Sequence, residues 1–396
     1  MASDSHILTI NCGSSSIKFS LYVLGETERL VLEGELARIG LSQGFFQAKD
    51  QAGHQVTAQK LDLPDHGAAF KTLFAWLEGH EIGSQLHGVG HRLVHGGPAH
   101  VKPQLLSSAL IEDLKLLIPL APDHLTDEIK GLEEVLRHFP ALPQIVCFDT
   151  AFHRRMPEIA QRYALPKSLS TEGLRRYGFH GLSYEYVTRE LVKVAGASAA
   201  SGKLIIAHLG NGASMAAIAG GRSLDTTMGL TPAGGLVMST RVGELDPGVI
   251  VYLLQEKGMT PAAVNNLINH QAGLLGLSGI SGDMHDLLAQ AGSQADAGLA
   301  EEIFCYQARK FVGALAASLS GLDTLIFTGG IGENSAIIRA RICAPLRFLG
   351  IVLDKGLNEG NSPIISRIDS RVTVRVMKTN EELMIARHTR DLVIDS

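Results

Sequence analysis

Two stretches about half a chain apart, ILTINCGSSSIKFSLYV (residues 7–23) and KLIIAHLGNGASMAAIA (residues 203–219), follow one plan. Each runs an apolar strand into a turn of glycine and small hydroxyl or amide residues, then leaves along a second apolar strand. Aligning Gly13 with Gly210 brings the two into register. A repeat this short either arises by chance or marks a duplicated core with two hairpins of the same plan. The length agrees with a duplicated core, because 396 residues exceed what a single hydrophobic core ordinarily serves.

Further short apolar runs, HGVGHRLVH, QIVCFD, TLIFTGG and VTVRVM, read as strands. Between them, EEIFCYQARKFVGALAASL places Phe304, Ala308, Phe311, Val312, Leu315 and Leu319 on one face at helical spacing, which predicts a core-facing helix. The alternation predicts the α/β class. VAGASAASG (194–202) and AQAGSQADAG (289–298) are small and polar and read as solvated loops or helix ends.

A net charge of −5 without any block of Lys or Arg argues against nucleic acid or an anionic membrane as partner and leaves small ligands. The four cysteines, Cys12, Cys147, Cys305 and Cys343, are dispersed and lack C-x-x-C spacing, which fits reduced thiols in the cytoplasm better than disulfides or zinc. The start MASDSHILTI shows neither a basic nor a long apolar segment, and FVGALAASLSGLDTLIF is interrupted by Ser318, Ser320 and Asp323, so neither a signal peptide nor a membrane span is expected.

A turn of Gly, Ser and Asn lets backbone N–H groups and short side chains converge with no Cβ in the way, as phosphate oxygens require. A turn that merely reverses two strands has the same composition, so GSSS alone leaves both readings open. HLGNGAS repeats the device with Asn211, and TLIFTGGIGENS predicts a strand, a Gly turn and then a helix in SAIIRARIC, an order that suits a nucleotide. No G-x-x-x-x-G-K-[ST] occurs, which excludes an ordinary P-loop. Arg92 in GHRLVHGG and Arg241 in STRVGELDPG lie beside glycines, either as clamps for a carboxylate or phosphoryl group or as plain surface charges. Asp149 closes QIVCFD at the carboxyl end of a strand, where open α/β sheets hold ligands. His180 precedes a helical run and can be structural or catalytic. Glu381 and Glu382 read as helix N-terminal acids, favourable for the dipole alone.

Together NCGSSSIKFSL, GHRLVHGG, CFDTAFH, YGFHGLSYEYV, HLGNGASMAAI, DTTMGLTPAGGLVMSTRVGELDPG, FTGGIGENS and TNEELMIARHT resemble the acetate kinase family in order and spacing, from about residue 7 to 390. The resemblance implies the ribonuclease H-like fold shared by acetate and sugar kinases, heat-shock ATPases and actin. It implies an N-terminal domain of 1–149 plus 383–396, the latter a returning helix, and a nucleotide-binding domain of 150–382. It also implies ATP in a cleft, Mg2+ or Mn2+, direct and reversible in-line phosphoryl transfer to acetate giving acetyl phosphate and ADP, and a homodimer. Other readings within reach are a propionate or hydroxy-acid kinase, a sugar or glycerol kinase of the same fold, and a non-catalytic nucleotide-binding switch.

Site residues follow from the same resemblance. Asn11 and Ser14 match phosphate or metal positioners, with Ser16 in the same turn and Lys18 adding positive charge. Arg92 and Arg241 match the pair that flanks the substrate and the phosphoryl in flight, His180 the donor to its equatorial oxygens, Asp149 the carboxylate positioning substrate and metal, and Glu381 the magnesium-linked acid. His208, Leu209, Gly210, Asn211 and Gly212 match the hairpin at the nucleotide phosphates. Asp283, Met284 and His285, with Gly330, Ile331, Gly332, Glu333 and Asn334, match the adenosine side. Val94, Phe179 and Pro232 match a small apolar pocket for the substrate alkyl group.

Three positions depart from the family pattern. Asp123 stands where the family's pocket has leucine, in APDHLT rather than APLHNP. Two like charges about 4 Å apart cost on the order of 4 kcal/mol at an effective dielectric near 20, so Asp123 turns outward, pairs with an arginine, or recognises a hydroxyl on a larger acid. Pro98 replaces a common Glu, and His285 stands where Arg is common, which predicts weaker, pH-sensitive nucleotide contact.

Overall fold

The computed structural model describes residues 4–394. The expectations for residues 1–3 and 395–396 lie outside them. The chain divides into two compact units, Met1–Ala151 with Asn380–Ser396, and Phe152–Thr379.

The first unit is built on β1 (Ser5–Gly13), β2 (Ser16–Leu24), β3 (Glu28–Ala37), β4 (Gly44–Asp50), β5 (Gln55–Leu61), β6 (Gly88–Leu93), β7 (Gln104–Leu105) and β8 (Gln144–Phe148). They form one sheet in the order β5-β4-β3-β2-β1-β6-β8-β7. The opening hairpin is tight, with Gly13 opposite Ser16 and only Ser14 and Ser15 between them. Helices α1 (His66–Gly79), α2 (Ser108–Leu116) and α3 (Pro122–His138) belong to this unit. Proline at the first position of α3 and Asp123 in its first turn start that helix, and Arg137 and His138 complement its C-terminal dipole. Phe70, Leu73 and Phe74 of α1 and Val135 of α3 meet Leu8, Ile10, Ile17 and Phe19 of the sheet in one core.

The second unit carries α4 (Gly181–Ser201), β9 (Lys203–Leu209), β10 (Ala213–Ala219), β11 (Arg222–Thr226), α5 (Pro247–Gln255), α6 (Met284–Gln290), α7 (Ala295–Ser318), β12 (Thr324–Thr328), α8 (Gly329–Asn334), α9 (Ala336–Cys343) and β13 (Thr373–Val376). Its sheet order is β11-β10-β9-β12-β13. Tyr184, Val187 and Leu191 of α4 pack on Leu204, Ile206, Ala216 and Ile326. Helix α10 (Glu381–Ile394) then returns the chain to the first unit, where Arg387 forms a bidentate ion pair with Glu28 of β3 at 2.6 Å.

Strands β3-β2-β1-β6-β8 and β11-β10-β9-β12-β13 have identical sense, two antiparallel pairings followed by two parallel ones. This is the duplication that the two Gly hairpins announce. Residues 194–201 form the end of helix α4, past a break at Gly196, and one local reading is corrected. GGIGEN is itself helix α8, begun directly at the end of β12, because the Glu333 carboxylate accepts from Gly329 N–H at 2.9 Å and satisfies a donor that a helix start leaves open.

Candidate active site

Arg92 projects from the end of β6, the central parallel strand of the first sheet, and Asp149 follows the last residue of β8 beside it. The backbone fixes this relation, since Asp149 N–H donates to Leu93 O at 2.9 Å. Arg92 Nε and Nη2 donate to Asp149 at 3.1 and 2.6 Å, and Nη1 donates to Asn11 Oδ1 at 3.2 Å. Asn11 lies on β1 opposite Lys18 of β2. Glu381 approaches Arg92 Nε at 3.6 Å from the first turn of α10, which Asn380 starts by accepting from Leu383 N–H at 2.8 Å. The first unit therefore gathers Asn11, Arg92, Asp149 and Glu381. Val94 is buried just beyond β6, Ser14 and Ser16 lie at the hairpin end, and Asp123 sits half-buried in the first turn of α3.

Burial and the neighbouring Asp149 push the Glu381 carboxyl well above the usual carboxylate range, although Arg92 and Lys18 oppose the shift. Asp149 and Glu381 hold the Arg92 guanidinium firmly charged. The sequence reading missed a third acid. Glu128, on the buried face of α3, accepts from Val94 N–H at 2.9 Å, and burial pushes its carboxyl up to about 8. In the folded chain Leu125, Ile129, Leu132 and Val135 form the buried stripe, and Glu128 falls on it.

These residues also fit a divalent cation. Asn11, Asp149 and Glu381 present oxygen donors only, and the buried acids Asp149 and Glu128 with the partly buried Glu381 surround one guanidinium, an excess of potential negative charge. Among the described residues no group of three or more His, Cys, Asp or Glu is arranged as a complete metal cage. Mg2+ ordinarily completes its octahedron with water and phosphate oxygens around one or two carboxylates.

In the second unit, His180 starts α4 with a left-handed φ of 57°, and its Nδ1 is 2.8 Å from Ser214 Oγ on β10. Its ring stacks on His208 with centroids 4.2 Å apart. His208 Nδ1 in turn lies 2.8 Å from Ser183 Oγ, which accepts from Thr379 Oγ1 at 2.9 Å. Gly212 closes this corner: a Cβ there would stand 3.2 Å from His180 Nε2, tight enough to press on the ring, and 3.6 Å from Arg241 Nη1, an ordinary contact. Arg241 donates to Pro232 O at 3.3 Å, and the loop that bears it is tied to the hairpin by Ser239 N–H donating to Asn211 O at 3.0 Å. Phe179 and Pro232 are buried in this unit and Val94 in the other.

The adenosine candidates occupy helix starts. Asp283 caps α6 by accepting from His285 N–H at 2.8 Å, Met284 is buried, and His285 is exposed. Gly330 and Ile331 open α8, Gly332 is buried within it, and Asn334 donates to Gly330 O at 2.9 Å. Leu209 and Gly210 end β9 next to α8, with a Cβ at Gly210 falling 3.8 Å from Gly330 N. The Glu333 carboxylate is engaged by Gly329 N–H, Thr328 Oγ1 and Thr379 N–H. A cavity of about 530 Å³ elsewhere in this unit is lined by Ala340, Arg341, Cys343 and Arg367, and none of the nucleotide candidates lines it.

Two α/β units with one repeated five-stranded core define the duplicated fold of the sugar kinases, heat-shock ATPases and actin. The chain belongs to the Acetokinase family, whose model matches residues 6–387. It is 44% identical to the acetate kinase of Nitrobacter hamburgensis over 98% of this chain and 96% of that one. It is 43% identical to the acetate kinase of Rhodopseudomonas palustris over 96% of this chain and 97% of that one. Among solved structures, Porphyromonas gingivalis acetate kinase superposes with a TM-score of 0.88 at 38% identity, covering 98% of this chain and 100% of that one. A propionate kinase from Francisella tularensis superposes with a TM-score of 0.92 at 37% identity, covering 98% and 99%.

Proposed function

We propose that the protein is an ATP-dependent carboxylate kinase that acts on acetate, forming acetyl phosphate and ADP by direct and reversible transfer. The observation that carries this reading is the Arg92 cluster: a half-buried guanidinium held by Asp149 and Asn11 at the carboxyl end of the parallel strands β6 and β8, in a family of acetate and propionate kinases. A carboxylate is already a nucleophile, so no protein base is needed. Its oxygen attacks the terminal phosphorus while the bond to the bridging oxygen of ADP breaks. Arg92 orients and offsets the charge of the acid. His180, whose Nδ1 lies 2.8 Å from Ser214 Oγ, donates from Nε2 to an equatorial oxygen, and Arg241 offsets the charge there. The Gly210–Gly212 hairpin and the start of α8 offer N–H groups to phosphate. Asn11, Asp149 and Glu381 would hold Mg2+, which when bound offsets phosphate charge.

The reading extends to the cytoplasm, where ATP and reduced thiols coexist; the four cysteines are buried thiols. No described helix is long and apolar enough to cross a membrane. It extends also to a homodimer: α5, PGVIVYLLQ, has no buried residue, and Val251 and Tyr252 are half exposed. Sedimentation of the purified protein checks this, a monomer at micromolar concentration opposing it. For the activity itself, Mg-ATP is incubated with acetate, propionate, butyrate and a hydroxy acid in hydroxylamine, which traps acyl phosphates as hydroxamates. Acetate is expected to give the highest kcat/KM. A higher value for another acid replaces acetate, and no hydroxamate from any acid overturns the proposal.

A further inference from the structure

Helix α3 turns a stripe of Leu125, Ile129, Leu132 and Val135 inward, and Glu128 breaks that stripe while remaining only 2% exposed. One carboxyl oxygen, Oε2, accepts from Val94 N–H at 2.9 Å, and Oε1 meets no hydrogen-bonding partner among the described residues. The cation within electrostatic reach is Arg92, but its Nε and Nη2 are committed to Asp149 and its Nη1 to Asn11. After Arg92, the largest electrostatic influences on Glu128 are the acids Asp149 and Asp127. Cys12 of β1 is a buried thiol, Asp149 beyond β8 is an acid, and Glu381 of α10 is a further acid 3.6 Å from Arg92 Nε. Asp127 of the same helix lies 3.0 Å from Lys130 and 3.9 Å from His66 of α1, while Lys115 of α2 is turned to Glu133. An ionised Glu128 would thus be a buried charge with one backbone donor and acidic neighbours, an arrangement that favours the protonated acid.

We propose that Glu128 is a positioning residue for the acid substrate: held as a neutral carboxylic acid, it clamps the Val94 amide and keeps further negative charge away from Arg92. Val94 follows Arg92 by two residues, so fixing its N–H fixes the strand end from which the guanidinium projects and the apolar wall beside it. A substrate that is itself an anion gains from this neutrality, because a second carboxylate within reach of Arg92 would repel it. The inference rests on the carboxylate kinase reading.

The test compares KM for the acid at pH 7 and pH 9 in the full-length wild type, Glu128→Gln and Glu128→Leu. In the wild type KM is expected to rise about fivefold or more over that range with kcat changing about twofold or less, as ionisation brings a screened repulsion. Both variants cannot ionise and should hold the ratio of the two KM values below about twofold. Glu128→Leu, which loses the clamp, should raise KM about tenfold at pH 7, and Glu128→Gln, whose amide oxygen can accept from Val94, should reverse most of that rise. A merely structural role would lower the active fraction and move kcat instead. If either folded variant keeps the wild-type alkaline rise in KM, the proposal is wrong. A second arm needs no activity: without ligands the wild type should lose thermal stability as pH rises from 6 to 8.5, and the variants should lose less. Should the wild type phosphorylate no acid, the kinase reading fails, and equal slopes in this second arm would separately overturn the role of Glu128.

Discussion

Arg92 answers two demands at once, and the two can be separated by mutation. Its partner Asp149 is fully buried, so Arg92→Ala leaves a buried carboxylate without its cation and should cost about 3–5 kcal/mol of stability. On the proposed mechanism, its loss should also lower kcat by about 10³ or more. Arg241 donates to the Pro232 carbonyl, a bond worth about 1 kcal/mol, and Arg241→Ala should lower kcat comparably. Thermal unfolding and kcat measured on both variants decide the matter; an Arg92→Ala protein with wild-type melting, or either variant with more than about a tenth of wild-type kcat, contradicts these roles. Arg92, Asp149 and His180 were legible in the sequence because each lies beside glycines or at a strand end. Glu128 was not, because DEIKGLEEVL reads as a charged surface until the helix is rotated against its neighbours.

Among elements, the strand-to-helix junction at Gly329 shows how a local pattern can be read correctly as glycine-dependent and still be given the wrong geometry. Gly329 has φ +75°, and a Cβ there would meet Leu209 O at 2.8 Å. The permissive residue lets β12 pass into α8 with no intervening loop, and Glu333, four residues on, closes the helix start from inside. Gly329→Ala should therefore destabilise the protein by about 1–3 kcal/mol and raise KM for ATP more than KM for the acid, because Gly330 and Ile331 follow directly. Equal KM for ATP in wild type and variant would detach this junction from nucleotide binding. The meander β3-β4-β5 escaped the sequence reading for a different reason. ERLVLEGELA buries only Leu32 and Leu36, and QVTAQKL buries only Thr57, so no alternation of buried apolar residues marks either strand.

For the molecule as a whole, buried titratable groups set how stability follows pH. Burial pushes His91 and His153 down to about 4, against 6.5 in an unfolded chain. Below pH 6.5 the unfolded chain takes up protons that the folded one refuses, so this contribution is complete at pH 7 and is lost as pH falls from 6.5 toward 4. Glu128 acts with the opposite sign: its carboxyl, pushed up to about 8, favours the fold below about 4.5 and is lost as pH rises through 8. His153→Gln should thus narrow the difference in melting temperature between pH 7 and pH 5, whatever it does to stability at pH 7; an unchanged difference would remove His153 from the account.

What the residues determined by themselves was the α/β class, the duplication and the motifs of the site, because periodicity, β-branched runs and glycine turns act within a few residues of one another. The carboxyl ends of β6 and β8 could be named for the same reason. Only tertiary structure decided that Asn11, Arg92, Asp149 and Glu381 meet around one guanidinium, with Glu381 returning on α10 from the far end of the chain. It alone decided that Glu128 lies inside, because burial and the protonation that follows from it depend on which face of a helix its neighbours cover.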